Sequence, residues 1–219
     1  MIDVEVLADA DAVASRAAEE VAARARDALA DHGRFAFAVS GGRTPWEMFA
    51  ALRSHDVPWD RTAIFQVDER VAPAGDPDRN LTHLTASLPP GGLAEIHPMP
   101  VEEADLDAAA ATYASSLPER FDLVHLGLGP DGHTASLVPG DPVLEVKDRA
   151  VALTEPYQGH RRMTLTYPVL DRAERVMWLV TGAEKVDPLA RLRAGDTSIP
   201  AGRVRAGAQL VLCDRAAAG

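Results

Sequence analysis

Asp131 and His133 stand two positions apart in the run Gly127-Leu128-Gly129-Pro130-Asp131-Gly132-His133-Thr134-Ala135-Ser136. Imidazole is the side chain whose ordinary pKa, roughly 6.5, lies nearest neutrality, and a carboxylate beside it can fix its tautomer or favour its charged form. The pair is therefore suited to moving a proton. Its glycines and proline suit a sharp bend that comes close to a ligand better than they suit a helix or strand interior. Taken alone, Asp-Gly-His is more often an ordinary turn with a solvated histidine. Of the other histidines, His32, His55, His83, His97 and His160 have no companion motif. His125 sits in a strand-like run and reads as a satisfied core residue.

A second chemistry-bearing stretch is Ser40-Gly41-Gly42-Arg43-Thr44-Pro45. It follows a short apolar run and precedes a helical pattern starting at Pro45, a residue favoured at the first helical position. Two glycines, two hydroxyls and a helix N-terminus make an anion site, and a phosphate would fit. The plainer reading is a helix cap with a flexible lead-in. Asp68-Glu69-Arg70 is too polar to continue into a core, so it is expected to face a cleft or solvent. Arg70 and Arg162 offer forked donors for a phosphate or carboxylate, and Lys185 a point charge. Asn80 closes the following loop and doubles as a helix N-cap candidate.

The elements that would hold these loops alternate between strand and helix patterns. Strands are expected at Ile2–Leu7, Phe35–Val39, Ala63–Val67, Phe121–Leu126, Ala150–Thr154, Arg162–Thr166, Arg175–Thr181 and Ala208–Cys213. Helices are expected at Ala10–Ala30, Trp46–Leu52, Leu81–Leu88, Leu106–Leu117 and Ala183–Ala194, with a loop over Asp68–Asn80 and a break at Pro89-Pro90-Gly91-Gly92. Strands separated by helical crossovers imply an α/β fold: a three-layer α/β/α sandwich with a largely parallel, Rossmann-like sheet, in one domain over 1–219. Ligands of such sheets collect beyond the carboxyl ends of the strands. The loops at Ser40, Asp68 and Gly127 each begin where a strand-like run stops, which would bring them into one cleft.

Bulk properties narrow the partners. A formal charge of −11 with no lysine-arginine stripe argues against nucleic acid. Cys213 is the only cysteine, so neither an intrachain disulfide nor a cysteine metal cluster can form, and it reads as a buried structural thiol. No apolar run reaches the roughly 18 residues that a bilayer span needs. The expected setting is the cytoplasm, with no membrane and no obligate protein partner inferred.

Taken in order, Ser40-Gly41-Gly42-Arg43-Thr44-Pro45, Asp68-Glu69-Arg70, Asp76-Pro77-Asp78-Arg79-Asn80 and Gly127–Leu137 resemble the 6-phosphogluconolactonases, with later matches at Arg162–Thr166 and Gly182-Ala183-Glu184-Lys185. The ordered set is far more specific than any member. The resemblance implies hydrolysis of 6-phospho-D-glucono-1,5-lactone to 6-phosphogluconate in the oxidative pentose phosphate pathway, without cofactor or metal. His133 would act as the base and Asp131 as its orienting carboxylate. Amides around Gly129 to Gly132, or a nearby guanidinium, would meet the oxyanion. Ser40, Gly41, Gly42, Arg43 and Thr44, with Asp68, Arg70, Asn80, Arg162 and Lys185, would complete the phosphosugar site. No Gly-x-Ser-x-Gly elbow is present, which disfavours serine-hydrolase chemistry.

Two departures from the family pattern stand out. Val138 replaces the usual phenylalanine, which touches packing, and Arg79 replaces the usual serine, which is expected to alter the substrate rim. Glucosamine-6-phosphate deaminases share the fold but typically follow the histidine with Ile-Ala-Phe-Asn-Glu-Pro; Thr134–Gly140 supplies no such carboxylate. A deaminase-like enzyme and a non-catalytic sugar-phosphate sensor remain the alternatives.

Overall fold

The computed structural model describes residues 2–88 and 94–219; the expected break at Pro89–Gly92 lies outside them. Seven strands form one parallel sheet: β1 (Ile2–Leu7), β2 (Phe35–Val39), β3 (Thr62–Gln66), β5 (Glu95–His97), β6 (Leu123–Gly127), β9 (Arg175–Val180) and β10 (Ala208–Asp214), in the order β1-β10-β9-β6-β2-β3-β5. The helices are α1 (Ala10–His32), α2 (Arg43–Leu52), α3 (Asn80–Ser87), α4 (Leu106–Ser116), α5 (Tyr167–Leu170), α6 (Val186–Arg193) and α7 (Arg215–Ala218).

Both faces of the sheet are covered, which explains why its strands read as unbroken apolar runs. Within β9, Met177 and Leu179 pack with Val13, Ala17 and Val21 of α1, while Val176, Trp178 and Val180 pack on the opposite face with Leu189 and Leu192 of α6 and Ala217 of α7. Burial of one such side chain contributes about 1.5–3 kcal/mol. Alanines along the inner face of α1 keep that helix close to the strands. Asp9 caps its start by accepting from the Ala12 N–H at 2.9 Å, and Gly33 ends it at φ 81°, the left-handed conformation that a non-glycine residue avoids.

The sequence reading departs from the structure in one instructive place. Asp68–Arg70 is a strand, β4, rather than the start of a loop. It pairs antiparallel with β8 (Arg162–Leu165), which pairs in turn with β7 (Val151–Leu153) in a separate three-stranded sheet. Thus the strands expected at Ala150–Thr154 and Arg162–Thr166 do not join the main sheet. The small sheet hangs from it through the Val67 N–H, which donates to Val39 O at 3.0 Å, and the Leu165 N–H, which donates to Val67 O at 2.8 Å.

Candidate active site

The adjacent strands β9, β6, β2 and β3 run parallel, so the chain emerges from their carboxyl ends at one edge. The strand order reverses between β2 and β6, the place where open α/β sheets form a ligand crevice. A cavity of about 280 Å³ lies there, lined by Ser40 to Pro45, Asp68, Arg70, Asn80, His125, Gly127 to Pro130, His133, Ala135, Arg162, Thr181 and Lys185 among others.

The turn after β6 is built around the imidazole. Thr134 Oγ1 donates to Gly127 O at 2.8 Å, the Gly129 N–H to His133 O at 2.8 Å and the Gly132 N–H to Gly129 O at 3.0 Å. Gly132 adopts φ 81°, and a Cβ on Gly129 would fall 2.1 Å from His133 Nδ1. Glycine at 129 is therefore what lets the ring lie against the backbone. His133 Nδ1 meets Asp131 Oδ1 at 2.5 Å, and the same oxygen accepts the His133 N–H at 3.1 Å. With Nδ1 directed at the carboxylate, Nε2 is left as the ring's free nitrogen, without a hydrogen bond among the described residues. Partial burial pushes the Asp131 carboxyl up, but hydrogen bonds and charge from His133, with the Tyr157 hydroxyl, outweigh it and hold the group below its ordinary value.

The Ser40–Thr44 loop also lines the cavity, where its glycines and the start of α2 have the form of an anion cradle. Gly42 precedes α2 at φ 131°, without a side-chain cap on the helix amides. A Cβ on Gly41 would sit 1.9 Å from Asn80 Oδ1, so the glycine is required for this approach of loop to loop. Thr44 Oγ1 lies 3.2 Å from Thr181 Oγ1, tying the β2 and β9 loops together, and Lys185 reaches the cavity with a largely buried side chain. Ser40 Oγ instead donates to His125 O at 3.2 Å, which makes that hydroxyl a brace of the loop. Arg43 is 80% exposed and, among the described residues, paired only with Glu47 at 3.6 Å, at the mouth of the site.

Asp68, Arg70, Asn80 and Arg162 add a polar cluster to the cavity lining. Arg70 and Arg162 are directly opposed across β4 and β8. Like charges in such a pairing repel, so an anion between them would be stabilising. Arg70 Nη1 donates to Asp78 O and Asn80 Oδ1, both at 2.8 Å. Arg162 reaches Gln158 Oε1 at 3.3 Å, while its Nε is buried without a hydrogen-bond partner among the described residues. Burial pulls the Arg162 guanidinium below its ordinary value, yet arginine remains a cation throughout. Ser136 Oγ donates to Asp68 Oδ2 at 2.5 Å, and burial pushes the Asp68 carboxyl up against that bond and the charges of Arg70 and Arg162.

The family model for glucosamine-6-phosphate isomerases/6-phosphogluconolactonase matches residues 8–213. The chain belongs to this family. It is 35% identical to a 6-phosphogluconolactonase of Synechocystis sp. over 87% of this chain and 85% of that one, and 34% identical to a 6-phosphogluconolactonase of Nostoc sp. over 99% and 96%. Its structure superposes on that of a 6-phosphogluconolactonase from Thermotoga maritima with a TM-score of 0.85, at 28% identity, covering 98% of this chain and 99% of the other.

Several expectations for this family member need correction. Glu69 is fully buried rather than solvated: it accepts from Gln66 Nε2 and from the N–H groups of Arg70, Asn80 and Leu81, each at 2.8 Å, and so caps the start of α3. Arg79 does not form a substrate rim; it is 2% exposed, 3.1 Å from Glu69 and 2.8 Å from Glu102. Asn80 is the first residue of α3 rather than its N-cap, and its side chain holds Asp68 O and Arg70. The amides of Gly129 and Gly132 are engaged inside their own turn, and Gly132 abuts Ile199. His125 is only half satisfied, since its Nε2 has no hydrogen-bond partner among the described residues. Thr181, Ser136 and Tyr157 were not singled out as site residues; Ser136 closes the glycine-rich run, but it, like the other two, acquires its neighbours only through the fold.

Proposed function

We propose that this chain hydrolyses 6-phospho-D-glucono-1,5-lactone to 6-phosphogluconate. The observation that carries this reading is the presence, in one cleft, of an Asp131–His133 pair with a free Nε2 and a separate anion cradle at Gly41–Thr44 and Lys185. His133 Nε2 takes a proton from water as the water oxygen bonds to C1 of the lactone. The tetrahedral adduct places negative charge on the former carbonyl oxygen, which Arg70 or Arg162 meets. Its collapse breaks the bond from C1 to the ring oxygen, and the imidazolium returns the proton to that oxygen. The phosphate is remote from the reacting carbon, so its binding energy serves to position the ester. The reaction needs water, a base and an oxyanion donor, and the proposal includes neither a metal nor an organic cofactor. With Cys213 buried as a free thiol, we read the enzyme as cytosolic.

The test is turnover of freshly prepared lactone measured against its spontaneous opening. His133→Ala is expected to lower kcat by about 100-fold or more. Full activity in that variant would remove the proposed base. Ammonia release from glucosamine 6-phosphate would place the chain with the deaminases, and binding of 6-phosphogluconate without lactone turnover would make it a sensor.

A further inference from the structure

Tyr157 touches the proton-moving pair and the buried guanidinium at once. Its hydroxyl lies 3.2 Å from Asp131 Oδ2, the carboxylate oxygen that His133 does not use. Its ring stands edge-on to the His133 imidazole, with centroids 5.6 Å apart and planes at 67°. The Arg162 guanidinium carbon lies 5.1 Å from the same ring's centroid, and Arg162 Nη2 is 3.5 Å from Tyr157 O. The residue is held by a tight turn: Tyr157 and His160 form a bridge around Gln158 at φ 49° and Gly159 at φ 85°. Such a pair of positive φ values is the signature of a type I′ hairpin turn.

We propose that Tyr157 is a positioning residue for the lactonase reaction, forming with Asp131 and His133 a three-member relay and setting the Arg162 guanidinium beside it. The inference rests on the proposed function. A carboxylate anchored through one oxygen alone can rotate about its terminal bond; a donor on Oδ2 fixes the plane that keeps Oδ1 on Nδ1. The hydroxyl donates because a carboxylate oxygen can only accept, and burial, with the Asp131 charge, raises the phenol above the ordinary tyrosine range. It also draws charge from Oδ1, moderating how strongly Asp131 favours the imidazolium. The ring, as distinct from the hydroxyl, limits the positions open to His133 and Arg162.

Two substitutions separate these roles. Tyr157→Phe keeps the ring and removes the donor, so kcat is expected to fall about tenfold with KM nearly unchanged, the rate equivalent of one hydrogen bond to a charged group. With Oδ1 more negative, the imidazolium is favoured to higher pH, so the acid limb of the kcat/KM profile moves upward. Tyr157→Ala also frees Arg162 and is expected to raise KM several-fold in addition. A hydroxyl that merely stabilised the fold would leave the pH profile in place. If Tyr157→Phe matches the parent in kcat and in its acid limb, the relay is wrong. That result is distinguishable from failure of the proposed function, in which the parent chain would not turn over the lactone and His133→Ala would change nothing.

Discussion

Across the seam between β2 and β6, the backbone N–H of Ser40 donates to Nδ1 of His125 at 3.3 Å. An amide can only donate, so Nδ1 is the acceptor and the ring proton sits on Nε2, which is buried without a partner. Complete burial pulls the His125 imidazole down to about 3. The unfolded chain takes up a proton near the ordinary value of roughly 6.5, whereas the folded chain resists it until about 3. The folded state is therefore unaffected by this group above that upper value and loses stability as pH falls between the two. The slope is at most roughly 1.4 kcal/mol per pH unit. Urea denaturation of the parent and of His125→Asn, which keeps an acceptor for Ser40 but does not titrate, measures it. Equal slopes in the two proteins over that window would refute the assignment.

Asp131→Asn keeps the size of the side chain while removing its charge and allowing an amide hydrogen to face the imidazole. The Nδ1 tautomer is then no longer enforced, and kcat is expected to fall by about 100-fold or more with little change in melting temperature, because the group is on the surface side of the turn. Because its bonds to His133 and Tyr157 hold Asp131 below the ordinary carboxylate range, the parent carboxylate stays ionised through the neutral and mildly acidic range. Retention of more than about a third of the parent kcat would mean that the tautomer is fixed by something else.

Gly129→Ala tests the geometry of the same turn from the backbone side. The new Cβ would lie 2.1 Å from His133 Nδ1 and 2.7 Å from Asp131 Oδ1, too close for either to remain in place. The ring is expected to swing out, with kcat lowered about as far as in His133→Ala while the circular dichroism spectrum is preserved. A crystal structure of the variant showing the Asp131–His133 contact intact would contradict this.

Much of this molecule was legible before any coordinates. β2, β3, β6 and β9 are apolar because both sheet faces are covered, and the glycines at 41, 42, 129 and 132 mark the places where the backbone must turn or approach closely. The small sheet was legible only in part: its strands β7 and β8 were expected, but neither β4 nor their separation from the main sheet was. Asp68–Arg70 is held as a strand by Arg162–Thr164, a partner far away in sequence, and no local pattern announces such pairing. β5 escaped notice because it is three residues long and pairs only with β3 at the sheet edge. Glu69 escaped for a further reason: a buried carboxylate is stable only when α3 amides and Arg79 surround it, and charge by itself predicts solvent.

Glu69→Ala follows directly from that environment. The substitution removes an acceptor from Gln66 and from the Arg70, Asn80 and Leu81 amides, and it leaves the buried Arg79 with Glu102 and Ala72 O alone. Breaking a buried pair in this way costs about 3–5 kcal/mol. The urea midpoint is expected to drop accordingly, and a loss under about 1 kcal/mol would show that water replaces the carboxylate.

Arg43, Arg70 and Arg162 should separate by position. Arg43 projects into solvent with a single distant partner, so Arg43→Ala is expected to change KM less than about twofold. Arg70 is fixed by Asp78 O and Asn80 Oδ1 at the cavity wall. If it holds the substrate anion equally before and during reaction, Arg70→Ala raises KM by about tenfold or more with kcat largely retained. If it instead meets the oxyanion, kcat falls and KM holds. Arg162, buried with a free Nε and opposed to Arg70, is the other candidate for that second role. Arg162→Lys keeps a cation but not the fork, so a fall in kcat with KM unchanged would identify Arg162 as the oxyanion donor. Steady-state kinetics on fresh lactone across the three substitutions assigns the roles, and equal, negligible effects for Arg70 and Arg162 would remove this guanidinium pair from the site.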